Sequence, residues 1–265
     1  MLIKKIVPLI FLGFFVFGLV TWYSRSKAIG TRHKITDKES VNYSGDATEA
    51  DADSLGKMLV DMGYFDNQNE KDVLLRKDTD GTSISFVVQD GVWDDPNVVS
   101  AFESVGRQVA QSLGGPPLNV DLIDDSINLM KRMVITKTET SLKASETESV
   151  RYLSPATPEQ ASALVDALKA IDYFDGGSTK DVYLDIASDD ETQMVSVVVQ
   201  DGVWEDVEMV AAFERFGVDV ATHLGLPIEF HIIDSYRNSH FSKQLQPGEI
   251  PAEEVPAEEA PQPAE

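Results

Sequence analysis

The sequence predicts an α+β protein that contains two tandem copies of one structural unit. The heptapeptide Val-Val-Gln-Asp-Gly-Val-Trp occurs at residues 87–93 and again at residues 198–204. Strand-like alternation and helical periodicity recur in the same order around each copy, which indicates a duplicated domain. The chain has 265 residues, and each unit takes roughly 90 of them, enough for a modest core.

The first half of each unit reads as a strand followed by a helix. Val and Tyr alternate with polar residues at 39–43 and 148–152, which favours a short strand. Thr48 and Thr157 are each followed three residues later by an acid or an amide, so both begin a helix with a capping box. Both helices run into Tyr-Phe-Asp, and we expect this aromatic pair to close one end of the core.

The second half of each unit reads as a hairpin, a helix and a final strand. Short polar turns separate the two strands of each hairpin. Asp95 and Asp206 are placed to cap the second helix, and Gly114 and Gly225 to end it. The order strand, helix, strand, strand, helix, strand is that of a ferredoxin-like βαββαβ domain, with two helices on one face of an antiparallel sheet.

These patterns divide the chain into six segments. They are an N-terminal transmembrane anchor (1–24), a juxtamembrane linker (25–38), the first repeat (39–131), a linker (132–147), the second repeat (148–243) and a disordered, acidic, proline-rich tail (244–265).

The anchor is predicted from the apolar run at residues 6–20, which with the residues up to Tyr23 is long enough to cross a bilayer. A cleaved signal peptide is the alternative, with Lys4 and Lys5 as its basic start. We therefore expect a single-pass protein of the cell membrane. The short N-terminal tail favours an extracytoplasmic body, as in a bacterial envelope protein, whereas the basic residues at 25–38 favour a cytoplasmic one.

The composition excludes several classes of function. The net charge is −23, from 45 acidic and 22 basic residues, so we expect no nucleic-acid partner. The chain has no cysteine, which removes disulfides, thiol nucleophiles and thiolate metal sites.

The candidate binding residues lie in the repeated heptapeptide. Asp90 with Trp93, and Asp201 with Trp204, could form a partner-binding site on the loop between a strand and a helix. The alternative is a structural turn, in which Asp and Gly shape the bend and Trp covers the core.

Neither a metal site nor a catalytic site is predicted. The acidic clusters at 121–125 and 189–191 lack the spacing of a calcium loop, and nothing brings three of the histidines together as zinc ligands. His231 alternates with apolar residues, so we expect it to face away from the core. We find no nucleophile with a base and no phosphate-binding loop, and so predict no enzyme and no cofactor.

The leading functional hypothesis is a membrane-anchored, non-enzymatic module that binds a protein partner or assembles with itself. A sheet covered by helices on one face only leaves its other face available for such contacts. Two alternatives stay open: a sensor of a small ligand or cation with its site between the repeats, and an enzyme without a recognisable motif.

Overall fold

A computed structural model describes residues 29–187 and 192–249 of the chain. This part forms two six-stranded sheets and four α-helices, and each repeat contributes one sheet and two of the helices. The two repeats have the same element order, which confirms the internal duplication.

The bounds of the elements are as follows. The first repeat contains β1 (Thr31–Lys34), β2 (Glu39–Gly45), α1 (Glu49–Asp61), β3 (Lys71–Asp78), β4 (Gly81–Val87), α2 (Pro96–Ala110), β5 (Leu118–Ile123) and β6 (Leu129–Ile135). The second contains β7 (Glu139–Lys143), β8 (Glu148–Leu153), α3 (Pro158–Ala170), β9 (Lys180–Ile186), β10 (Gln193–Val198), α4 (Val207–Leu224), β11 (Ile228–Ile233) and β12 (Ser239–Leu245).

The ferredoxin-like prediction is wrong, because the sheets are mixed and their strands lie in the order of the sequence. β2 pairs with β3, and β4 with β5, in parallel, whereas the remaining neighbours are antiparallel. In a ferredoxin-like domain the two strands joined by a helix are separated by another strand. Here each helix connects adjacent strands that pair in parallel. The six predicted elements occur in the predicted order and the hairpin strands pair as predicted, but the pairing across each helix was predicted wrongly.

The sequence pattern also missed one strand at each edge of each sheet. β1 and β6 flank the first sheet, and β7 and β12 flank the second. Edge strands expose most of their side chains and so lack a clean apolar alternation. The segment 132–147, which was expected to join the repeats, provides the end of β6 and all of β7.

The membrane prediction also needs correction. The proposed span at residues 6–23 lies outside the described residues, and within the described part no helix is long and apolar enough to cross a bilayer. The longest, α4, has 18 residues and carries charged side chains such as Glu214 and Arg215, whereas a span needs about 20 mainly apolar residues. The described residues therefore do not support the predicted single-pass membrane localisation.

The helix boundaries agree with the capping residues predicted from the sequence. Thr48 accepts a hydrogen bond from the Asp51 amide, and Thr157 accepts one from the Gln160 amide, each within a complete capping box. Asp95 and Asp206 cap the second helices as predicted.

Each repeat has one hydrophobic core, between its two helices and one face of its sheet. In the first sheet the paired residues Val73 and Phe86, and Leu75 and Ile84, are buried on this face. Because strand side chains alternate, the opposite face carries polar groups such as Ser40 and Asp121. His231 lies on the corresponding polar face of the second sheet, away from the core as predicted, and is buried there.

Close approach of α2 to the first sheet requires a glycine at position 106. A Cβ atom there would lie 2.6 Å from Cγ2 of Val120 and 2.7 Å from Cγ1 of Ile135. We expect Gly106→Ala to lower the free energy of unfolding by about 1–3 kcal/mol through overpacking, although Ala is the better helix former. Urea unfolding would measure the change. Ser162→Ala, at an exposed position of α3, should change stability by less than about 0.5 kcal/mol, and equal effects would contradict the packing argument.

Candidate interaction surface

The repeated Asp-Gly-Val-Trp segment forms the bend that leads into the second helix of each repeat. In the first repeat Gly91 has φ 82° and starts a 3₁₀ turn at Val92–Asp94. Asp90 is exposed, and Trp93 is half-buried against the first core. This position fits the turn alternative, while partner binding by Asp90 and Trp93 stays a prediction.

The equivalent tryptophan of the second repeat, Trp204, packs beside the loop that follows β11. The Trp204 ring stacks on His240, with centroids 3.7 Å apart and planes inclined by 7°. Nε2 of His240 lies 3.1 Å from Oδ2 of Asp234. Asp201 is exposed at the start of the bend. Trp204 therefore helps to position the loop that follows β11, and its direct binding of a partner, like that of Asp201, stays a prediction.

That loop has the same construction in both repeats. We call residues 124–128 the first hairpin loop and residues 234–238 the second hairpin loop. Asp124 accepts hydrogen bonds from the amides of Ser126 (2.9 Å) and Asn128 (2.7 Å). In the second hairpin loop Asp234 accepts the equivalent bonds from Tyr236 (2.8 Å) and Asn238 (2.9 Å). The first residue of each loop thus fixes the loop's shape.

The second hairpin loop docks onto helix α2 of the first repeat. The Ser100 hydroxyl donates to the carbonyl oxygen of Tyr236. Nδ2 of Asn238 donates to Oδ1 of Asn97 at 3.2 Å. These contacts join the loop of one repeat to the helix of the other, so the two surfaces of the junction are different.

Arg237 is the centre of this junction. Its guanidinium donates to both carboxylate oxygens of Glu139, at 2.6 and 3.1 Å, and to the Ser104 hydroxyl at 2.9 Å. It also lies over the Tyr183 ring, with Cζ 4.2 Å from the centroid. A bidentate arginine and carboxylate pair of this kind fixes orientation as well as adding energy.

A second cation shares the same carboxylate. Nη1 of Arg151 lies 3.2 Å from Oε1 of Glu139, whose side chain is 1% exposed. Burial opposes ionisation of Glu139, but the charges and hydrogen bonds of Arg237 and Arg151 outweigh it and lower its pKa. Burial also lowers the pKa of Arg107 on α2, and the nearby charge of Arg237 adds to that effect. Glu139 is therefore the anion that compensates several buried guanidinium groups.

The pKa of Glu139 implies a defined acid dependence of stability. The pKa of Glu139 in the folded protein lies below its ordinary value of 4.5. The stabilisation that ionised Glu139 provides is therefore complete above that pH and is lost as the pH falls through the lower pKa of the folded state. We expect the urea midpoint of the wild type to exceed that of Glu139→Gln at neutral pH. The difference should shrink below about pH 4.5. Urea titrations at several pH values would test this, and a difference that grew on acidification would contradict it.

The equivalent helices α2 and α4 of the two repeats differ in how far they are exposed to solvent. In α2 every residue from Asn97 to Ala110 is buried or half-buried, because the second repeat lies against the helix. In α4 the equivalent range contains several exposed positions, among them Met209 at 42% exposure, Ala212 and Arg215. Ile127, at the position equivalent to Arg237, is 37% exposed. Each repeat therefore has such a loop and such a helix, and within residues 29–187 and 192–249 the equivalent helices differ in how far they are covered.

The sequence did not single out the residues of this junction. Arg237 and Glu139 are 98 positions apart, in the loop after β11 and in β7 of the same repeat, and no local pattern connects them. A signal was nevertheless present, since Asp and Asn stand four residues apart at both 124–128 and 234–238. That pattern predicts the same loop shape in both repeats, but it does not predict that the second hairpin loop binds α2.

The clusters considered for metal binding have other roles where they are described. Asp121 forms a bidentate ion pair with Arg132, at 2.8 Å for both contacts. His231 contacts Ser239 and Glu229, each at 3.0 Å. Across residues 29–187 and 192–249 no group of three or more His, Asp or Glu residues could hold a metal ion. The cluster at 189–191 lies outside the described residues.

Comparison of the chain with protein-family models, with curated proteins and with solved structures gave no match.

Proposed function

We propose that this chain is a non-enzymatic protein-interaction module, in which each repeat carries a loop and a helix face for contact with another folded domain. The observation that carries the proposal is the junction between the repeats. There the second hairpin loop binds α2, whereas the equivalent helix α4 keeps several exposed positions among the described residues.

The exposed apolar residues support the same proposal. Several large apolar side chains are exposed in or next to the first hairpin loop and at the start of α4, namely Ile127, Leu129, Met130, Val207 and Met209. Scattered apolar residues are normal on a protein surface, but apolar groups gathered at surfaces equivalent to an existing junction favour a binding role. The strongly acidic composition disfavours anionic partners, so a protein surface is the best match.

The alternative functions remain predictions without a specific observation in their favour. The sensor alternative places a ligand site between the repeats, where the described contacts are those of the second hairpin loop with Ser100, Ser104 and Asn97 of α2. An enzyme would need a reactive group poised next to a base or an electrophile, and no contact described above supplies such a pair.

Photo-crosslinking from α4 tests the proposal. A benzophenone amino acid in place of exposed Met209 should form adducts of defined mass with a protein in the cells that make the full chain. The same group in place of Lys169, which is exposed on α3, provides the matched control and should form none. Absence of any adduct at Met209, or equal labelling at both positions, would reject the module as proposed.

A further inference from the structure

We infer that the outer edge of strand β6 binds an extended segment of a partner protein, which adds a strand to the first sheet. This inference rests on the proposed function and gives the interaction module one surface and one kind of partner. The segment that fits β6 carries an acidic residue between two apolar ones, in the order apolar-x-acid-x-apolar. In binding of this kind, main-chain hydrogen bonds provide the affinity and side chains provide the specificity.

Strand β6 forms one edge of the first sheet and pairs, among the described strands, with β5 alone. Along its other side, the main-chain N–H and C=O groups of an edge strand have no neighbouring strand to bond. Folded proteins normally protect such an edge with charged or polar side chains, because it can otherwise pair with a strand of another chain. The side chains of β6 therefore show whether its edge is protected.

The duplication allows a direct comparison of β6 with β12, the equivalent edge strand of the second sheet. All the exposed residues of β12 are polar, as are those of the other two edge strands, β1 and β7. In β6 three exposed residues are apolar, at 51%, 41% and 58% exposure. They are Leu129, Met130 and Val134, at the positions of Ser239, His240 and Gln244 in β12. Among the described edge strands, β6 thus lacks the usual protection.

The register of β6 on β5 defines the row of side chains that an added strand would meet. Three residues of β6 lie on the face of the sheet away from the core, each paired with a residue of β5. They are Leu129 with Ile123, Arg132 with Asp121, and Val134 with Asn119. Because β6 has a bulge here, these three residues of β5 stand two positions apart. A strand on the other side of β6 that follows the same register has the same spacing.

Arg132 determines the residue at the centre of the added strand. Its Nε and Nη2 each donate to Asp121 at 2.8 Å, but its side chain is 49% exposed. A guanidinium group has five N–H donors, so Arg132 can bind a second carboxylate. Side chains directly opposite on neighbouring strands lie about 5 Å apart. An acid therefore fits opposite Arg132, and apolar residues fit opposite Leu129 and Val134.

Charge distinguishes this partner from a second copy of the chain. Strand β6 carries two cations, Lys131 and Arg132, and no acidic residue. An antiparallel pair of β6 strands would bring these cations against those of the other copy, and like charges on opposite strands are destabilising. Two copies with a net charge of −23 would also repel one another. A single acid within a neutral or basic partner meets both conditions.

A labelled peptide tests the inference on the full chain. The probe is Lys-Thr-Val-Thr-Glu-Thr-Val-Thr-Lys, which contains the apolar-x-acid-x-apolar order between terminal lysines. By fluorescence anisotropy we expect saturable binding with a dissociation constant below about 1 mM. Lys in place of the central Glu should weaken binding about tenfold or more. N-methylation of every peptide nitrogen removes the N–H donors and should abolish binding, whereas equal binding of the methylated probe would overturn strand addition.

A variant taken from the duplication tests whether β6 is the site. Leu129→Ser together with Val134→Gln introduces the residues of β12 at these positions, and it should weaken binding of the probe about tenfold or more. Because both side chains are more than half exposed, the urea midpoint should change little. Val60→Asn, at an exposed apolar position of α1, is the control and should bind the probe like the wild type.

The outcomes separate this inference from the proposed function, which crosslinking at Met209 tests. If the wild type does not bind the probe, or binds it no better than the double variant, strand addition at β6 is rejected. Adducts at Met209 would then support the interaction module with another surface. If the probe binds β6 as expected and Met209 forms no adduct, the module with its loop and helix face is rejected and the β6 edge stands as the binding surface.

Discussion

Replacing Glu139 with Gln should lower the free energy of unfolding by about 3–5 kcal/mol, one of the two largest effects that we expect. The substitution leaves Arg237 without the carboxylate that it contacts at 2.6 Å, and leaves Arg151 with only its contact to Asp181 at 3.2 Å. Both guanidinium groups are largely shielded from solvent, so removal of the Glu139 carboxylate leaves a buried positive charge without a counter-charge. Unfolding in guanidinium chloride, followed by tryptophan fluorescence, would measure the change in the free energy of unfolding.

Two further variants test whether the loss comes from the ion pair. Glu146→Gln, at an exposed position, should change stability by less than about 0.5 kcal/mol. Arg237→Ile introduces the residue that the first repeat has at this position, and combined with Glu139→Gln it should cost less than the sum of the single changes. Strict additivity of the two substitutions would show that Glu139 and Arg237 do not act as a pair.

The sequence predicts the local structure of this protein better than the pairing of its strands. The helix-capping residues act within a few residues of their own positions, so the helices that they cap could be recognised directly from the sequence. They are Thr48, Asp95, Thr157 and Asp206. Strand order depends on contacts between distant residues. The apolar pattern of β2 and β3 is the same whether the strands are neighbours or are separated by another strand, and it therefore could not exclude the ferredoxin-like order.

The junction between the repeats was hidden for a related reason. Arg237 is one of several arginines in the sequence, and only the fold shows that it reaches Glu139 and lies over Tyr183. The duplication, which the sequence does reveal, becomes informative once that contact is known. Comparison of Arg237 with Ile127 and of Tyr183 with Leu74 then shows that the first repeat lacks the side chains that form this contact in the second.

Replacing Glu39 with Ala should have an effect of similar size, about 3–5 kcal/mol, in the first repeat. Glu39 is 1% exposed and joins the start of β2 to the loop that leaves α1. Its carboxylate accepts hydrogen bonds from the amides of Asp66 at 2.8 Å and Asn67 at 3.1 Å. It also lies 3.4 Å from Nζ of Lys71. Alanine would leave the two amides without their acceptor and would remove one of the two carboxylates beside the Lys71 ammonium group, which keeps its contacts with the Tyr64 carbonyl oxygen and Asp66.

The duplication provides a matched test of this role. Glu148 accepts the equivalent bonds from the amides of Asp175 and Gly176, both at 2.9 Å, so Glu148→Ala should cost about as much as Glu39→Ala. Glu39→Gln should cost less, because the amide oxygen can still accept from one backbone N–H. Exposed Glu70 is the control, and its replacement by Ala should be nearly neutral. If Glu39→Ala were as mild as Glu70→Ala in urea unfolding, the loop after α1 would not depend on this carboxylate. The Tyr-Phe-Asp segment would then be held by its aromatic packing alone.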